Sequence, residues 1–223
     1  MEQDESHNNV LEDTNAYSFY TFFKRVMDIL GGLIGVFIMI ICYVVLFIPY
    51  HFGANKGKIL FKQKRIGQNG ECFYIYKFRS MKENADEILK KDMKLYEKYI
   101  KNGYKIEPHE DPRITKLGHF IRKLSIDEIP QFINVIKGEM SLVGPRPIVL
   151  EELNEYTKNG KDGVFLSMKP GITGVWQTSG RSNIGYPERV FLEISYASNK
   201  SILFDIKIIL LTIVKVFKKE GAY

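Results

Sequence analysis

The strongest pattern in the chain is a run without charged residues at positions 29–48, close to the N-terminus. As an α-helix this run would be about 30 Å long, which matches the hydrocarbon core of a bilayer. It lies too far from the start for a usual signal peptide, and no small-residue cleavage site follows it. The pattern therefore predicts a membrane helix, with a buried core helix as the alternative.

The charges beside this run do not fix its orientation. Lys24 and Arg25 precede it, and five more cations follow it: Lys56, Lys58, Lys62, Lys64 and Arg65. Because positive charge flanks both ends, the positive-inside rule leaves a spanning and a re-entrant helix open. A re-entrant hairpin would place both clusters on one face, but it needs a break, and the run has glycines and no proline before Pro49.

A second candidate for membrane contact lies at the C-terminal end, in residues 205–219. Its apolar residues recur at spacings of three and four, and most of its lysines fall elsewhere on the helix. The apolar set is Ile206, Ile209, Leu210, Ile213, Val214 and Phe217. This pattern is typical of an amphipathic helix in the membrane interface, and a core-facing helix is the alternative.

Between these two segments the pattern predicts one mainly α-helical domain with a small β-hairpin. Short strands over 59–63 and 72–78 are joined through Asn69-Gly70, a strong hairpin turn. Apolar residues at helical spacing predict helices near 84–102, 116–123 and 128–137, and glycines follow the first and the last. We therefore expect a membrane helix over 24–50 and a single α+β domain over 51–223.

Composition adds an uneven distribution of charge to this picture. The net charge is +6, but the first 23 residues carry five acids and no lysine or arginine. The remainder holds 32 basic against 21 acidic residues. We expect a disordered acidic leader over 1–23 and a basic body that binds nucleic acid, a phosphorylated substrate or an anionic membrane. Two cysteines exclude a disulfide framework, and the four scattered histidines lack zinc-ligand spacing.

Two adjacent carboxylates, Asp127 and Glu128, open the last of the predicted helices, close after Arg122. Ser125 and Glu128 fit a capping box, but with that cap Pro130 would delete a helix hydrogen bond. Asp127 at the edge of the helix can instead act as a nucleophile or hold Mg²⁺, which prefers one or two carboxylates and substrate phosphate oxygens. From the residues alone, a cap and a catalytic group remain equally open.

Three further segments carry polar residues that a fold alone does not demand. Prolines on both sides of Arg146 fix an extended turn, which suits a phosphate ligand, although a solvated arginine on a rigid loop is the alternative. Residues 77–81 follow the hairpin and by themselves are typical of a solvated charged face. Residues 169–182 combine small residues with Trp176, which suits either ligand approach or a buried tryptophan.

Taken together, these segments resemble the bacterial sugar transferase family, the monotopic phosphoglycosyl transferases that act on polyprenyl phosphate. The resemblance runs from Lys24 to the C-terminus. It rests on ordered motifs at family-like spacing, namely Lys24-Arg25-x-x-Asp28, Lys77-Phe78-Arg79-Ser80-Met81, Asp127-Glu128-Ile129-Pro130-Gln131, Gly144-Pro145-Arg146-Pro147 and Lys169-Pro170-Gly171-Ile172-Thr173-Gly174.

The resemblance implies transfer of a sugar 1-phosphate from a UDP-sugar to undecaprenyl phosphate with release of UMP, the first membrane step of exopolysaccharide, capsule or O-antigen synthesis. It implies Asp127 as the nucleophile of a covalent aspartyl phosphosugar intermediate, with Mg²⁺ at the same residue. Glu128 is then the neighbouring acid/base or positioning carboxylate. The implied phosphate-binding or substrate-binding residues are Lys77, Arg79, Arg122, Gly144, Pro145, Arg146 and Arg181.

The resemblance also implies a place in the cell: the inner membrane, with the catalytic domain facing the cytosol and the lipid bilayer as a partner. The sequence has no recognisable DNA-reading motif, so we expect no nucleic-acid partner. The family usually breaks its N-terminal helix with a Ser-Pro pair, whereas residues 39–43 contain no proline. Re-entrance is favoured because both basic flanks then share the cytosolic face, and a spanning helix is the alternative. A membrane-anchored scaffold without enzymatic activity is the alternative function, and the sugar and a homodimer stay open.

Overall fold

The computed structural model describes the backbone of residues 2–52, 55–104, 106–180 and 184–218, and their side chains except those of residues 2–17 and 217. The described chain is mostly helical, with two small two-stranded sheets. Its strands are β1 (Leu60–Ile66), β2 (Cys72–Phe78), β3 (Ser141–Val143) and β4 (Gly171–Thr173). Its α-helices are α1 (Glu2–Phe47), α2 (Ala85–Lys91), α3 (Met93–Lys101), α4 (Lys116–Lys123), α5 (Phe132–Lys137), α6 (Leu150–Lys158), α7 (Asp162–Leu166), α8 (Val175–Ser179), α9 (Glu188–Asn199) and α10 (Ile202–Lys218).

Helix α1 is continuous from Glu2 to Phe47, and within the described chain Ser18–Phe47 is the stretch long and apolar enough to cross a membrane. The structure thus differs from the disordered leader expected over 1–23. No proline or glycine precedes Gly31, so nothing in the leader stops a helix from extending backwards from the apolar run. The helix is also unbroken through residues 39–43, and a short 3₁₀ turn at Pro49–His51 follows it.

Helix α1 packs against the rest of the domain from Tyr20 to Leu46. Near its middle, Asp28 accepts hydrogen bonds from the Ser141 hydroxyl at 2.9 Å and from the Leu142 backbone N–H at 2.8 Å. Gly35 lies against the ring of Phe132, which would be 2.1 Å from an added Cβ atom. Beyond the helix, Tyr50 is buried in a core cluster with Leu46, Ile59, Phe78 and Ile121. The apolar helix is therefore part of the wall of the folded domain.

The β-hairpin is confirmed. Strands β1 and β2 pair antiparallel, with Leu60 opposite Phe78 at one end and Ile66 opposite Cys72 at the other. Asn69 and Gly70 adopt positive φ angles of 57° and 80° in the connection, as the Asn-Gly turn predicts. Phe73 and Ile75 lie on one face of the hairpin and are buried in one core cluster, whereas Phe78, on the other face at the end of β2, is buried in the cluster around Tyr50.

Two of the predicted helices are divided in the structure. The segment 84–102 forms α2 and α3 because Asp92 takes an extended backbone, and its carboxylate accepts from the Leu95 N–H at 3.1 Å as the cap of α3. The segment 128–137 consists of a 3₁₀ turn, Ile126–Gln131, and the short helix α5, since Pro130 lies where an α-helical hydrogen bond would form. The α-helix predicted at 116–123 is confirmed as α4.

The C-terminal half surrounds a short parallel pair of strands, β3 and β4, which sequence patterns did not predict. Gly144 follows β3 and lies so close to the other strand that an added Cβ atom would be 2.3 Å from the Lys169 carbonyl oxygen. Helix α10 covers this pair with Ile208, while Leu210 and Val214 of its predicted apolar stripe are exposed. The Phe217 side chain of that stripe lies outside the described residues.

Candidate active site

Asp127 and Glu128 lie in the 3₁₀ turn that precedes α5. The turn starts after Ser125, whose backbone is left-handed with φ 54° and whose side chain makes no capping hydrogen bond. The capping-box interpretation is therefore wrong, and both carboxylates are left to other partners. Asp127 is buried, while the Glu128 side chain is partly exposed.

Two cations from distant parts of the chain meet at Glu128. The Nζ atom of Lys77, near the end of β2, lies 3.1 Å from the Oε1 atom of Glu128. The Nη1 atom of Arg146, from the loop after β3, lies 3.8 Å from the same oxygen. The sequence-predicted residues Lys77, Glu128 and Arg146 are thus brought together.

Arg122 is a third predicted cation near the two carboxylates. Its Nε–H donates to the hydroxyl of Ser80 at 2.8 Å, which holds the side chain on the same wall as Asp127. The positive charges of Lys77 and Arg122 both act on the Asp127 carboxyl group. Asp127 therefore lies between a negative neighbour and two positive ones.

The protonation of Asp127 reflects this balance. Burial of the carboxyl group and the adjacent charge of Glu128 raise its pKa to about 6, against the pull of Lys77 and Arg122. Burial lowers the pKa of the Lys77 ammonium group, and Glu128 opposes that change. Two neighbouring carboxylates in different surroundings, one of them with a strongly shifted pKa, are typical of catalytic sites.

These groups line one open cavity of about 320 Å³, which is the size of a small-molecule site. One part of its wall is charged. Another part is aromatic and apolar, formed by Leu89, Tyr99, Tyr104, Ile106 and Pro108. The charged part contains Arg65, Lys77, Arg79, Arg122, Arg146, Asp127 and Glu128. A ligand with both phosphate groups and flat rings fits such a wall.

Arg79 borders the cavity, but part of its guanidinium is engaged elsewhere. Its Nε–H donates to the Lys58 carbonyl oxygen at 2.7 Å, and its Nη2 group donates to the carbonyl of Asn55. The Tyr50 hydroxyl in turn donates to the Arg79 carbonyl oxygen. Arg79 thus fastens the segment between α1 and β1 to the edge of the site, and a direct contact with substrate stays a prediction.

Gly144 and Pro145 are not part of the cavity wall that the described residues form. The Gly144 N–H donates to the Thr173 carbonyl at 2.9 Å, and the Pro145 carbonyl accepts from the Gly171 N–H at 2.8 Å. These bonds attach the loop to β4 and so place Arg146 at the site. Arg181, the remaining predicted residue, lies outside the described residues.

A buried ion-pair network behind the Arg146 loop was missed by the sequence analysis. Arg189 Nη1 lies 3.0 Å from Glu152 Oε2, and Arg65 Nη1 lies 3.5 Å from Glu152 Oε1. The Glu193 carboxylate accepts from the Arg146 backbone N–H at 3.0 Å. Burial alone would raise the pKa of Glu152, but the charges of Arg189 and Arg65 hold it below its usual value. The one available signal was the spacing of Arg189 and Glu193, four residues apart on α9.

The Lys24-Arg25-x-x-Asp28 motif fastens α1 to the domain. Lys24 Nζ lies 2.7 Å from Asp205 Oδ2 of α10, and it also donates to the Val143 carbonyl at 3.0 Å. Arg25 donates to the carbonyls of Val135 and Ile136 at 2.8 and 2.7 Å, which stabilises the C-terminal end of α5. All three side chains of the motif therefore bind protein groups.

The described residues contain no cluster of three or more histidine, cysteine, aspartate or glutamate side chains that could enclose a metal ion. The pair Asp127 and Glu128 supplies two carboxylates, and cations already occupy one side of Glu128. This donor set fits Mg²⁺, which takes one or two carboxylates and completes its shell with water and substrate phosphate oxygens.

Residues 19–219 match the family described as bacterial sugar transferase. The chain is 48% identical over 201 residues to a galactosyl transferase, CpsE, of Streptococcus agalactiae, covering 89% of this chain and 43% of that protein. It is 38% identical over 205 residues to an undecaprenyl-phosphate galactose phosphotransferase of Salmonella typhimurium, covering 91% and 42%. The chain thus spans less than half the length of these two relatives. It is 41% identical over 174 residues to the exopolysaccharide production protein ExoY of Sinorhizobium fredii, covering 76% and 75%.

Proposed function

The chain belongs to the bacterial sugar transferase family, and we propose that it transfers a sugar 1-phosphate from a UDP-sugar to undecaprenyl phosphate, with release of UMP. The observation that carries this proposal is the placement of Asp127 and Glu128 among Lys77, Arg122 and Arg146 on the wall of one cavity. The names of the relatives, an undecaprenyl-phosphate galactose phosphotransferase among them, support the same chemistry.

In the first step, an Asp127 carboxylate oxygen attacks the phosphorus atom that carries the sugar. A bond forms between that oxygen and phosphorus, and the bond from phosphorus to the bridging oxygen of the diphosphate breaks, so that UMP leaves. In the second step, a phosphate oxygen of undecaprenyl phosphate attacks the same phosphorus and releases Asp127. The products are UMP and an undecaprenyl diphosphate sugar, and the carboxylate is regenerated.

The cations make this attack feasible, because a carboxylate and a diphosphate repel each other. Lys77 and Arg146 reach the site from β2 and from the loop after β3, and Glu128 holds them near each other. Arg122 faces Asp127 from α4. Preorganised positive charge of this kind stabilises the negative charge that spreads over the transferred phosphoryl group. Glu128 is therefore proposed as the positioning carboxylate of the pair.

Mg²⁺ is part of the proposal, with Asp127 as its protein ligand together with oxygens of the diphosphate. When bound, the ion would supply positive charge at the diphosphate and lower the repulsion of the incoming carboxylate. The shape of the donor set supports this choice, since one buried aspartate and a partly exposed glutamate leave room for phosphate oxygens and water.

We also propose that both ends of α1 stay on the cytosolic side of the inner membrane. Contacts with the domain run from Lys24, which pairs with Asp205, to Leu46 in the core cluster around Tyr50. A helix crossing the bilayer upright would carry these contacts, and the domain with them, into the hydrocarbon. The exposed apolar sides of α1 and α10 would instead enter the cytosolic leaflet, with residues such as Phe37, Val44 and Leu210 facing lipid.

The decisive experiment measures UMP release from a panel of UDP-sugars by the full chain in nanodiscs, with undecaprenyl phosphate and Mg²⁺. UDP-galactose, UDP-glucose and UDP-N-acetyl sugars form the panel. We expect turnover with at least one donor, which the Asp127→Asn variant abolishes and a matched Asp162→Asn variant on α7 retains. Full activity of Asp127→Asn, or no release by the wild type from any donor, would contradict the proposal; the second result would favour a scaffold.

A further inference from the structure

Beside the catalytic pair lies a second, much smaller space of about 10 Å³, which we call the Gln177 niche. Its volume is that of a single water-sized group. The niche and the large cavity share part of their walls, namely Arg65, Lys77, Glu128, Arg146, Ile172 and Gln177. The other residues around the niche are Ile75, Gln131, Pro147 and Gly171. The niche therefore opens beside the groups proposed to hold the diphosphate.

Two polar atoms of the niche residues are buried without a hydrogen-bond partner in the described part of the chain. They are the Nε atom of Arg65, which carries a donor hydrogen, and the Oε1 atom of Gln177, which is an acceptor. Gln177 is 5% exposed, so bulk water does not compensate its oxygen. Buried polar groups are normally paired, because an unpaired one loses its hydration without replacement. Both atoms belong to side chains that line the niche, so they would be compensated by a missing group of matching chemistry bound there, once both side chains turn toward it.

The missing group must donate one hydrogen bond and accept another, and it must fit a space of about 10 Å³. A hydroxyl group does both, donating to Gln177 Oε1 and accepting from Arg65 Nε–H. The recognition edge of uracil fits less well, since it is a row of three groups in which carbonyl oxygens flank the N–H. In a UDP-sugar the sugar is attached directly to the attacked phosphorus, so its hydroxyls are the nearest ones.

We propose that the Gln177 niche binds one hydroxyl group of the transferred sugar, so that Gln177 and Arg65 determine which sugars are accepted. This inference rests on the proposed function. Gln177 lies on the short helix α8, next to Trp176, whose indole N–H donates to the Ile184 carbonyl at 2.9 Å. The indole also lies 4.4 Å from the buried Arg189 guanidinium, so α8 is held firmly enough to present an acceptor at a fixed place.

The test compares the best donor with its monodeoxy analogues, each lacking one hydroxyl, in the UMP-release assay. We expect the wild type to lose about 10- to 100-fold in kcat/KM on one analogue, because removal of the hydroxyl leaves two buried groups unpaired. Gln177→Leu should lose a similar factor on the parent donor and little more on that analogue, since the two changes remove the same bond. Gln177→Glu keeps an acceptor oxygen and should still discriminate against the analogue.

Several outcomes would overturn the inference. If Gln177→Leu loses activity equally on the parent and on every analogue, the niche holds a structural water only. If the wild type has the same kcat/KM for all monodeoxy donors, the Gln177 niche does not recognise a hydroxyl group. If the melting temperature shows that Gln177→Leu does not fold, the test uses Gln177→Asn and Gln177→Glu instead. The shorter amide of Gln177→Asn withdraws the acceptor, so this variant must lose the discrimination that Gln177→Glu retains. If the wild type turns over the parent donor but the effects of Gln177→Leu and of the missing hydroxyl simply add, only this inference is wrong. If the wild type turns over no donor at all, the proposed function is wrong.

Discussion

The Nζ atom of Lys77 lies 3.1 Å from Glu128 Oε1, while the neighbouring Asp127 is buried and has a pKa raised to about 6. Two carboxylates that are adjacent in sequence are thus placed in different surroundings. Glu128 is paired with cations, whereas the pKa of Asp127 is raised towards neutral pH. Such a division separates a charged positioning group from a group that reacts.

The first prediction concerns the pH dependence of the first half-reaction. Only the ionised form of Asp127 can attack phosphorus, and its pKa is raised to about 6. At subsaturating UDP-sugar and Mg²⁺, where the rate follows the pKa of Asp127 in the free protein, we expect single-turnover UMP release to rise with pH through about 6 and to level off above 7. The measurement omits undecaprenyl phosphate, because its phosphate monoester titrates in the same range. A flat rate between pH 5 and pH 8 would contradict the assignment.

The second prediction is that the Asp127→Asn variant is more stable than the wild type at neutral pH. A carboxyl group whose folded-state pKa is raised favours folding below the unfolded pKa of about 4 and loses that contribution as pH rises to about 6. Replacing Asp127 should therefore stabilise the fold at pH 7.5 by an amount on the order of 2 kcal/mol. Thermal unfolding in detergent tests this at pH 4 and 7.5.

An exposed carboxylate provides the matched control for that comparison. Glu71 lies in the hairpin connection and is exposed, so Glu71→Gln should unfold like the wild type at both pH values. If Asp127→Asn is less stable than the wild type at pH 7.5, the carboxylate is held by favourable contacts that outweigh its burial, and the argument for a raised pKa fails.

The third prediction concerns the attachment of α1 through Lys24 and Asp205, which lie 2.7 Å apart with side chains 15% and 0% exposed. Removing one partner leaves a buried charge without its opposite charge, so Lys24→Met or Asp205→Asn should each cost about 3–5 kcal/mol of stability. The double variant should recover part of that loss. Lys158→Met, which breaks an exposed pair with Glu155, should cost less than about 1 kcal/mol. Equal effects of the buried and exposed changes would contradict the prediction.

The fourth prediction tests the contact between α4 and Ser80, which lines the cavity. A Cβ atom at Gly118 would lie 1.8 Å from the Ser80 carbonyl oxygen, so Gly118→Ala must push α4 away from the end of β2. The Ser80 hydroxyl holds Arg122, and UMP release should therefore fall together with the melting temperature. Gly163→Ala is the control, because nothing lies within 4 Å of its added Cβ atom. Activity of Gly118→Ala at the level of this control would refute the proposed role of the contact.

The fifth prediction concerns membrane topology. In a background with Cys42 and Cys72 replaced by serine, single cysteines at Ser18 and at Lys56 mark the two ends of the apolar helix. Both should resist a membrane-impermeant maleimide in intact spheroplasts and react after lysis. Labelling of one position alone in intact spheroplasts would mean that α1 crosses the bilayer.

Local patterns predicted much of the fold and of the site. The Asn-Gly turn, the glycine after α5 and the apolar spacing of α4 are decided within a few residues, and the structure has them in place. Lys77 and Arg122 were assigned to phosphate by the resemblance to the family, whereas the prolines on both sides of Arg146 pointed to a phosphate ligand from the residues themselves. Asp92 shows the limit: its side chain starts a new helix where the apolar spacing continues unbroken.

Long-range partners were beyond the reach of the sequence. Glu152 and Arg65 are 87 positions apart and meet only because β1, α6 and α9 fold against each other. Lys24 was assigned to the flank of the apolar run by its position, and Asp28 was named only as part of a family motif. Their burial against Asp205 and Ser141 follows from tertiary packing that no local pattern encodes.

The way α1 is built into the domain bears on how this protein can be handled. A truncation that removes residues 1–47 to gain a freely soluble protein would strip off the cover over Phe132 and Leu142 and leave the carbonyls at the end of α5 without Arg25. The remainder would expose its own interior and aggregate. Solubility is better sought by replacing outward residues such as Phe37 and Val44, which leave the shared interior intact.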